Sequence, residues 1–583
     1  MVISFRGPGG RAVKRLERTD QEHMALFSDY DIEEVIAQGN LATVYKCVRA
    51  SEKQPFAVKV LSQELVTKHP EIIASFSGSP LAIERMRHPN IVPVIDRGIA
   101  GGLPYFVMEY VDGVSLATAL EKRALDFAAK LNVALQMCKA LSYAHLNGVI
   151  HRDIKPANVL IDKQGHVKVS DFGFAQMIAL HPGEADLISG SPEYMSPEQR
   201  TGNQKLSAAS DIYSLGVVIY KMFAGQLPGE PLAFPSYYDA SVPAYVDEIV
   251  SKCLTREPAQ RYPSAEAIKD KLLESAWGAH LPKSKKNEVL QGIGDIKTRF
   301  AVLDVLKETD FGAVFLCENT VNHNRIIIKR IRGNTEGYKE STALGNLQHP
   351  NLVSIYSTSR EDNAFSIVME HLPGGSLNDR LVNPWEWKRA VTVIREVCQG
   401  LAFLHKNQLI HGNLRPSNIL FTARGEVKIT GCGLDEHYRG DEKSRNWYVY
   451  ASEARTAASD MYSVGAILLE MVTGAVPNWH RGELVVNPQF NTLPTDVKNV
   501  LYRMLAQVPK DRYRSFDEVV PLLNGLLADD KPKRRNAPKP ATSGTSKLLL
   551  VLLALVAIAA LAFYFPEVSR SIVGTMKGLF GNS

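Results

Sequence analysis

Residues 150–160 read IHRDIKPANVL, and residues 410–420 read IHGNLRPSNIL. In the first stretch Asp153, Lys155 and Asn158 fall within six positions. An acid, a cation and a carboxamide this close could take up a proton and neutralise an anion. The second stretch aligns position by position. His411 answers His151, Gly412 answers Arg152, Asn413 answers Asp153, Arg415 answers Lys155 and Asn418 answers Asn158. The acid has gone. A second acid, Asp171, lies 18 residues beyond Asp153, and Gly431 lies 18 residues beyond Asn413. Lys59, in AVKV, sits in an apolar strand pattern. A lysine there is costly unless something anionic meets it.

These groups need two scaffolds of one kind. RHPNIVPV at 87–94 returns as QHPNLVSI at 348–355, and VMEYVDGVSL at 107–116 as VMEHLPGGSL at 368–377. SDIYSLG at 210–216 returns as SDMYSVG at 459–465, and RYPS at 261–264 as RYRS at 512–515. A slowly drifting offset of 249 to 261 residues means two copies of one fold, not a short-period solenoid. The 583-residue chain is too long for one ordinary core. Its 45% apolar and 22% charged residues are a globular composition. A net charge of +5 gives no reason to expect nucleic acid as a partner. The six cysteines form no CxxC pair and no zinc spacing, and read as buried thiols in a reducing compartment.

On these motifs, residues 30–272 resemble a bacterial eukaryotic-type serine/threonine protein kinase. The resemblance implies an α+β fold, a small sheet-rich lobe over a larger helical one, with ATP and Mg2+ (or Mn2+) in the cleft. It assigns Asp153 to the substrate hydroxyl proton and Lys155 to the γ-phosphate. Asn158 and Asp171, the latter in DFG at 171–173, would hold the metal. Gly39 and Val44, in AQGNLATV, would cover the phosphates, which the backbone must approach closely. Lys59 would meet the α- and β-phosphates, and Met108 and Glu109 would border the nucleotide. Glu198, in SPE, should pair with Arg261, and Asp211 should brace the catalytic loop. Ser189 and Ser191 lie between DFG and SPE. Ser189 is the candidate regulatory phosphosite, and Ser191 matches the residue lining the substrate site.

One departure concerns the glutamate that the family pairs with its strand lysine. In the second copy that position is Glu340, and in the first it is Ser79, between Gly78 and Pro80. Proline suits the first turn of a helix, so a helix should start with Ser79 as N-cap. Glu84 or Glu71 would then be the substitutes for the missing glutamate. Residues 299–528 keep Lys329, Glu340, Glu453, Asp460 and Arg512, but Asn413 cannot be an anionic base and Gly431 cannot hold Mg2+. The resemblance is to pseudokinases, which implies a regulatory role or a docking surface for a partner.

The remaining segments flank these two tandem domains. Residues 1–29 read as a basic lead-in without a secretory signal, and 273–298 as a short linker that leaves the copies in contact. Residues 529–547 read as a flexible basic spacer. LLLVLLALVAIAALAFYF at 548–565 holds 18 uncharged residues, about 27 Å as a helix. It is expected to be a transmembrane helix. Six Lys or Arg between 531 and 547 precede it, and only Arg570 and Lys577 follow. The positive-inside rule then gives a single-pass inner-membrane protein with cytoplasmic domains and a short extracytoplasmic tail, 566–583. The expected activity is phosphate transfer to protein Ser or Thr. The alternative is a membrane signalling scaffold whose two kinase folds only bind.

Overall fold

The computed structural model describes residues 30–49, 54–77, 82–172, 191–201, 206–290, 299–332, 338–361, 364–432, 448 and 455–528. The first copy begins with strands β1 (Tyr30–Gln38), β2 (Ala42–Arg49) and β3 (Pro55–Leu61). Three short helices follow: α1 (Gln63–Lys68), α2 (Glu71–Ser77) and α3 (Ala82–Arg85). Strands β4 (Val94–Ala100) and β5 (Leu103–Glu109) complete an antiparallel sheet of order β1-β2-β3-β5-β4. The central strand β3 is buried along almost its whole length, so PFAVKVL reads as a continuous apolar run.

The larger lobe holds β6 (Gly113–Ser115), α4 (Phe127–Leu146), β7 (Val159–Asp162), β8 (Val167–Val169), α5 (Ala208–Ala224) and α6 (Ala265–Ala276). Each long helix starts on a side-chain cap: Asp126 accepts from Ala129 N–H, Ser207 from Ala209 N–H and Ser264 from Ala267 N–H. Helix α5 stops at Gly225, whose φ of +74° is the left-handed turn that glycine tolerates best.

The second copy repeats the plan. Strands β9 (Phe300–Thr309), β10 (Gly312–Asn319) and β11 (Arg325–Arg332) precede α7 (Tyr338–Gly345), and β12 (Ile355–Glu361) and β13 (Ala364–Glu370) close the sheet β9-β10-β11-β13-β12. Helix α8 (Trp387–Lys406), strands β14 (Ile419–Phe421) and β15 (Val427–Ile429), and helix α9 (Ala457–Thr473) form its larger lobe.

The two copies touch, as the short linker implies. Leu303, Leu316 and Val382 of the second copy belong to the first copy's apolar cluster. Asp304, 3% exposed on β9, lies 2.7 Å from Lys139 Nζ on α4 and 3.4 Å from His280 Nε2. Burial would raise the Asp304 pKa, but Lys139 and His280 outweigh it and hold the carboxyl below its ordinary range. Arg325 on β11 reaches Asp270 at 2.8 Å and Glu274 at 3.0 Å, both on α6.

All six cysteines are free and buried, as their spacing implies. Among the described residues no helix is long and apolar enough to cross a membrane; residues 548–565 lie outside them, as do 1–29 and 529–583.

Candidate active site

Strand pairing sets the upper half of the site. Val44 on β2 is the register partner of Lys59 on β3, which in turn faces Phe106 on β5. Gly39 makes the turn between β1 and β2, donating its N–H to Ala42 O at 3.0 Å. Lys59 is 8% exposed, and its ammonium lies 2.7 Å from Asp171 Oδ1. Burial alone would raise the Asp171 pKa. The charge and hydrogen bond of Lys59, with His151 and Lys155 behind, turn the shift downward. The carboxylate is therefore ionised.

The lower half is built on Asp211, which is 1% exposed within α5. Its two oxygens accept the backbone N–H of His151 and of Arg152, each at 2.8 Å. His145 Nε2 completes the set at 2.7 Å. The loop is thereby fixed in a bent path, with Arg152 at φ +69°. His151 spans to Ser170 O at 2.8 Å, and its ring meets Phe172 at 4.5 Å, so the 150s loop and the Asp171 turn are held together.

On that frame Asp153 projects with its neighbours. Asn158 Nδ2 donates to Asp153 O at 2.9 Å and to Asp153 Oδ2 at 3.0 Å. Lys155 Nζ lies 2.8 Å from the same Oδ2. Lys59, Asp171 and Met108 line one cavity together with Ile83, Met86 and Phe172. Glu109 stands apart: its carboxylate binds Lys168 at 3.0 Å. Glu198 and Arg261 form the expected buried pair, bidentate at 2.7 and 2.8 Å, with Ser210 Oγ donating at 2.9 Å. Burial opposes ionisation of Glu198, but the Arg261 hydrogen bonds and charge win and bring its pKa down to about 2.

One expectation falls outside the described residues and one is corrected. The helix start expected at Ser79 lies in 78–81, outside them; α2 ends at Ser77 and α3 is described from Ala82. The two glutamates offered as substitutes on Lys59 are engaged elsewhere: Glu84 lies 2.6 Å from Arg97, and Glu71 3.2 Å from His69. Ser191 leads into the turn Pro192–Tyr194, whereas Ser189, Gly173 and Glu453 lie outside the described residues.

The sequence reading missed His145 and Gln199, whose Nε2 donates to Arg152 O at 2.8 Å. His145 left a signal: its counterpart His405 lies 2.9 Å from Asp460.

The second copy keeps the frame and lacks the acids. Asp460 accepts His411 N–H at 2.9 Å and Gly412 N–H at 2.8 Å, as Asp211 does for its loop. Arg512 donates to Ala458 O and Ala506 O, each at 2.7 Å, as Arg261 does to Ala209 O and Thr255 O. Where Lys155 meets a carboxylate, Arg415 Nε meets the neutral Asn413 carboxamide at 3.1 Å. Gly312 is retained for packing: a Cβ there would lie 2.1 Å from Arg330 O.

One carboxylate and one carboxamide, Asp171 and Asn158, are hard oxygen donors. They suit Mg2+, which takes few protein ligands when phosphates supply the rest. Among the described residues no cluster of three or more His, Cys, Asp or Glu could hold a resident metal by itself.

Similarity to known proteins agrees with this geometry. The protein kinase domain family matches residues 30–273 and again 300–541. A probable serine/threonine-protein kinase of Clostridium perfringens is 32% identical over 255 residues, 41% of this chain and 37% of that protein. PknB of Mycolicibacterium smegmatis is 33% identical over 283 residues, 44% of each chain. Pkn1 of Myxococcus xanthus is 34% identical over 271 residues, 43% of this chain and 38% of that protein. The matches thus span less than half the length of these relatives. With two matched stretches covering most of its length, the chain belongs to the protein kinase family, in a tandem of two domains.

Proposed function

We propose that the first domain is a serine/threonine protein kinase that moves the γ-phosphate of ATP to a protein hydroxyl. The observation that carries this reading is the assembly of Asp153, Lys155 and Asn158 on one loop, with Lys59 and Asp171 paired above it. In the transfer, the substrate oxygen bonds to the γ-phosphorus while the bond to the ADP oxygen breaks. Asp153 takes the hydroxyl proton. Lys155 steadies the transferring group and Lys59 the remaining phosphates. Asp171 and Asn158 would hold Mg2+, which would supply positive charge to neutralise the phosphates. The test is labelled-phosphate transfer by the full chain, with Asp153→Ala as control. A wild type that transfers nothing with either Mg2+ or Mn2+ sinks the reading.

The second domain, with Asn413 and Gly431 in place of both acids, is read as a pseudokinase with a regulatory or docking role. Arg152 supports an activation-segment switch at Ser189, since its Nε is buried with no hydrogen-bond partner among the described residues. A phosphate there gives that guanidinium an anion. Phosphopeptide mapping that finds 173–190 unmodified in active enzyme refutes the switch. Residues 548–565 are read as a single-pass anchor in the inner membrane, with both domains cytoplasmic, on their apolar run and the basic residues before it. Full-length protein that stays in a high-salt soluble fraction without detergent rules the anchor out.

A further inference from the structure

Helix α3 forms part of the first copy's catalytic cavity: Ile83 and the following Met86 line it beside Lys59, Asp171 and Phe172. In this copy Lys59 pairs with Asp171, while Glu71 meets His69 and Glu84 meets Arg97. Arg97 on β4 does part of the holding. It binds Glu84 at 2.6 Å and donates to Phe76 O at 2.6 Å, tying α3 and α2 to the sheet.

The rest of the hold comes from the second copy. Residues 377–385 form a short irregular segment around the turn Asn378–Arg380. It is fixed to its own domain, since Trp385 N–H donates to Met471 O on α9 at 2.6 Å. From there it reaches the first copy. Val382 is 2% exposed and belongs to the first copy's apolar cluster. Asp379 O accepts from Asn147 Nδ2 at 2.9 Å, just past the end of α4. Asn147 Nδ2 also donates to Tyr143 O at 2.8 Å, and the Tyr143 hydroxyl accepts Arg87 N–H at 3.1 Å. The Arg87 guanidinium donates back to Glu84 O at 2.8 Å. A second route is direct. Arg85, the last residue of α3, packs on Gly474 past the end of α9: a Cβ on that glycine would lie 3.1 Å from Arg85 Nη1 and 3.2 Å from Pro384.

We infer that residues 377–385 and Gly474 of the second copy brace α3 of the first, so that the second domain positions the catalytic cavity of its neighbour. This deepens the regulatory role proposed above and rests on the first domain being the kinase. Arg85, Asn147 and Val382 are positioning residues. They touch α3 or its supports, and none belongs to the set that meets phosphate or metal. A contiguous packed route joins the two domains, and a bias of about 1–3 kcal/mol at its end corresponds to roughly a 5–150-fold change in an equilibrium.

The experiment compares full-length wild type with Arg85→Ala, Val382→Ala and the double variant. Arg325→Ala, which loosens the domain contact away from α3, is the control. Two quantities are read: amide hydrogen exchange across 82–92, and kcat and KM for ATP. The brace predicts faster exchange across 82–92 in the double variant, with kcat changed about 5-fold or more. The control should leave both near wild type, at the same melting temperature for the first domain. Exchange across 82–92 equal to wild type in the double variant overturns the brace, and this arm decides even if no transfer is seen. Faster exchange with unchanged kcat and KM overturns the positioning role. A wild type that transfers no phosphate overturns the kinase reading instead.

Discussion

The two copies differ in residue type at two positions where both backbones are left-handed. Arg152 and Gly412 share nearly the same φ, at +69° and +68°; Asp171 and Gly431 lie at +65° and +79°. Left-handed backbone costs a non-glycine residue roughly 1–2 kcal/mol, and glycine almost nothing. The first copy bears that cost at Arg152 and at Asp171, the acid proposed to hold the metal. The second places glycine at both positions. Meanwhile the buried supports, Asp211 and Asp460, make the same bonds in the two copies. On the proposed reading, strain persists in the copy whose side chains have chemistry to do and is relaxed in the copy read as a pseudokinase.

The contrast breaks most decisively at Asp153. Asp153→Ala should lower phosphate transfer by roughly 10²–10⁴-fold, the usual contribution of a positioned proton acceptor, while Asn413→Ala changes it little. Steady-state transfer assays on both variants check this. A drop with Asn413→Ala equal to that with Asp153→Ala erases the distinction between the copies.

The next effect concerns the frame. Removing Arg261 strands a buried carboxylate, and Arg261→Met should cost the first domain about 3–5 kcal/mol, read by denaturant unfolding. The pH dependence follows from the depressed Glu198 pKa, about 2 against an ordinary 4.5. A lowered carboxyl pKa contributes stability that is present above the unfolded value and lost as pH falls from about 4.5 towards 2. That window should carry about 3 kcal/mol, and Glu198→Gln should flatten it in an acid titration of stability.

Smaller effects sharpen the backbone argument. Gly431→Ala should destabilise the second domain by about 1–2 kcal/mol, since its Cβ is strained and meets the Asn418 carboxamide at 3.1–3.2 Å. Arg152→Gly should raise the melting temperature of the first domain while lowering activity. Equal shifts of one sign in both variants contradict the strain account. Smallest, Arg325→Ala should cost about 1 kcal/mol or less, as its partners on α6 are partly solvated.

The tandem architecture was legible because the repeat preserves spacing, and spacing reports scaffolds directly. The Glu198–Arg261 pair and the Asp211 brace were legible for the same reason. The support of Lys59 was not. Its spacing offers Glu71 and Glu84 as substitutes, but pairing depends on where Arg97 and His69 arrive from other elements. Asp304, Arg325 and Val382 carried no sign of an inter-domain contact either. In sequence they read as strand and loop residues of one domain, and only packing of the copies gives Lys139 and Asp270 to them.

The two glycines in the second copy also set a direction. A change that places an acid at 431 strains the backbone and crowds Asn418, while Asn413 still lacks a charge. A change at 413 alone leaves the metal position empty of carboxylate. Each single step back therefore destabilises the domain or gains nothing, and only simultaneous changes give selection an activity to act on. If the second domain is the pseudokinase proposed above, the relaxed backbone works as a ratchet: drift away from catalysis is downhill in folding free energy, and the return path has no rewarded intermediate.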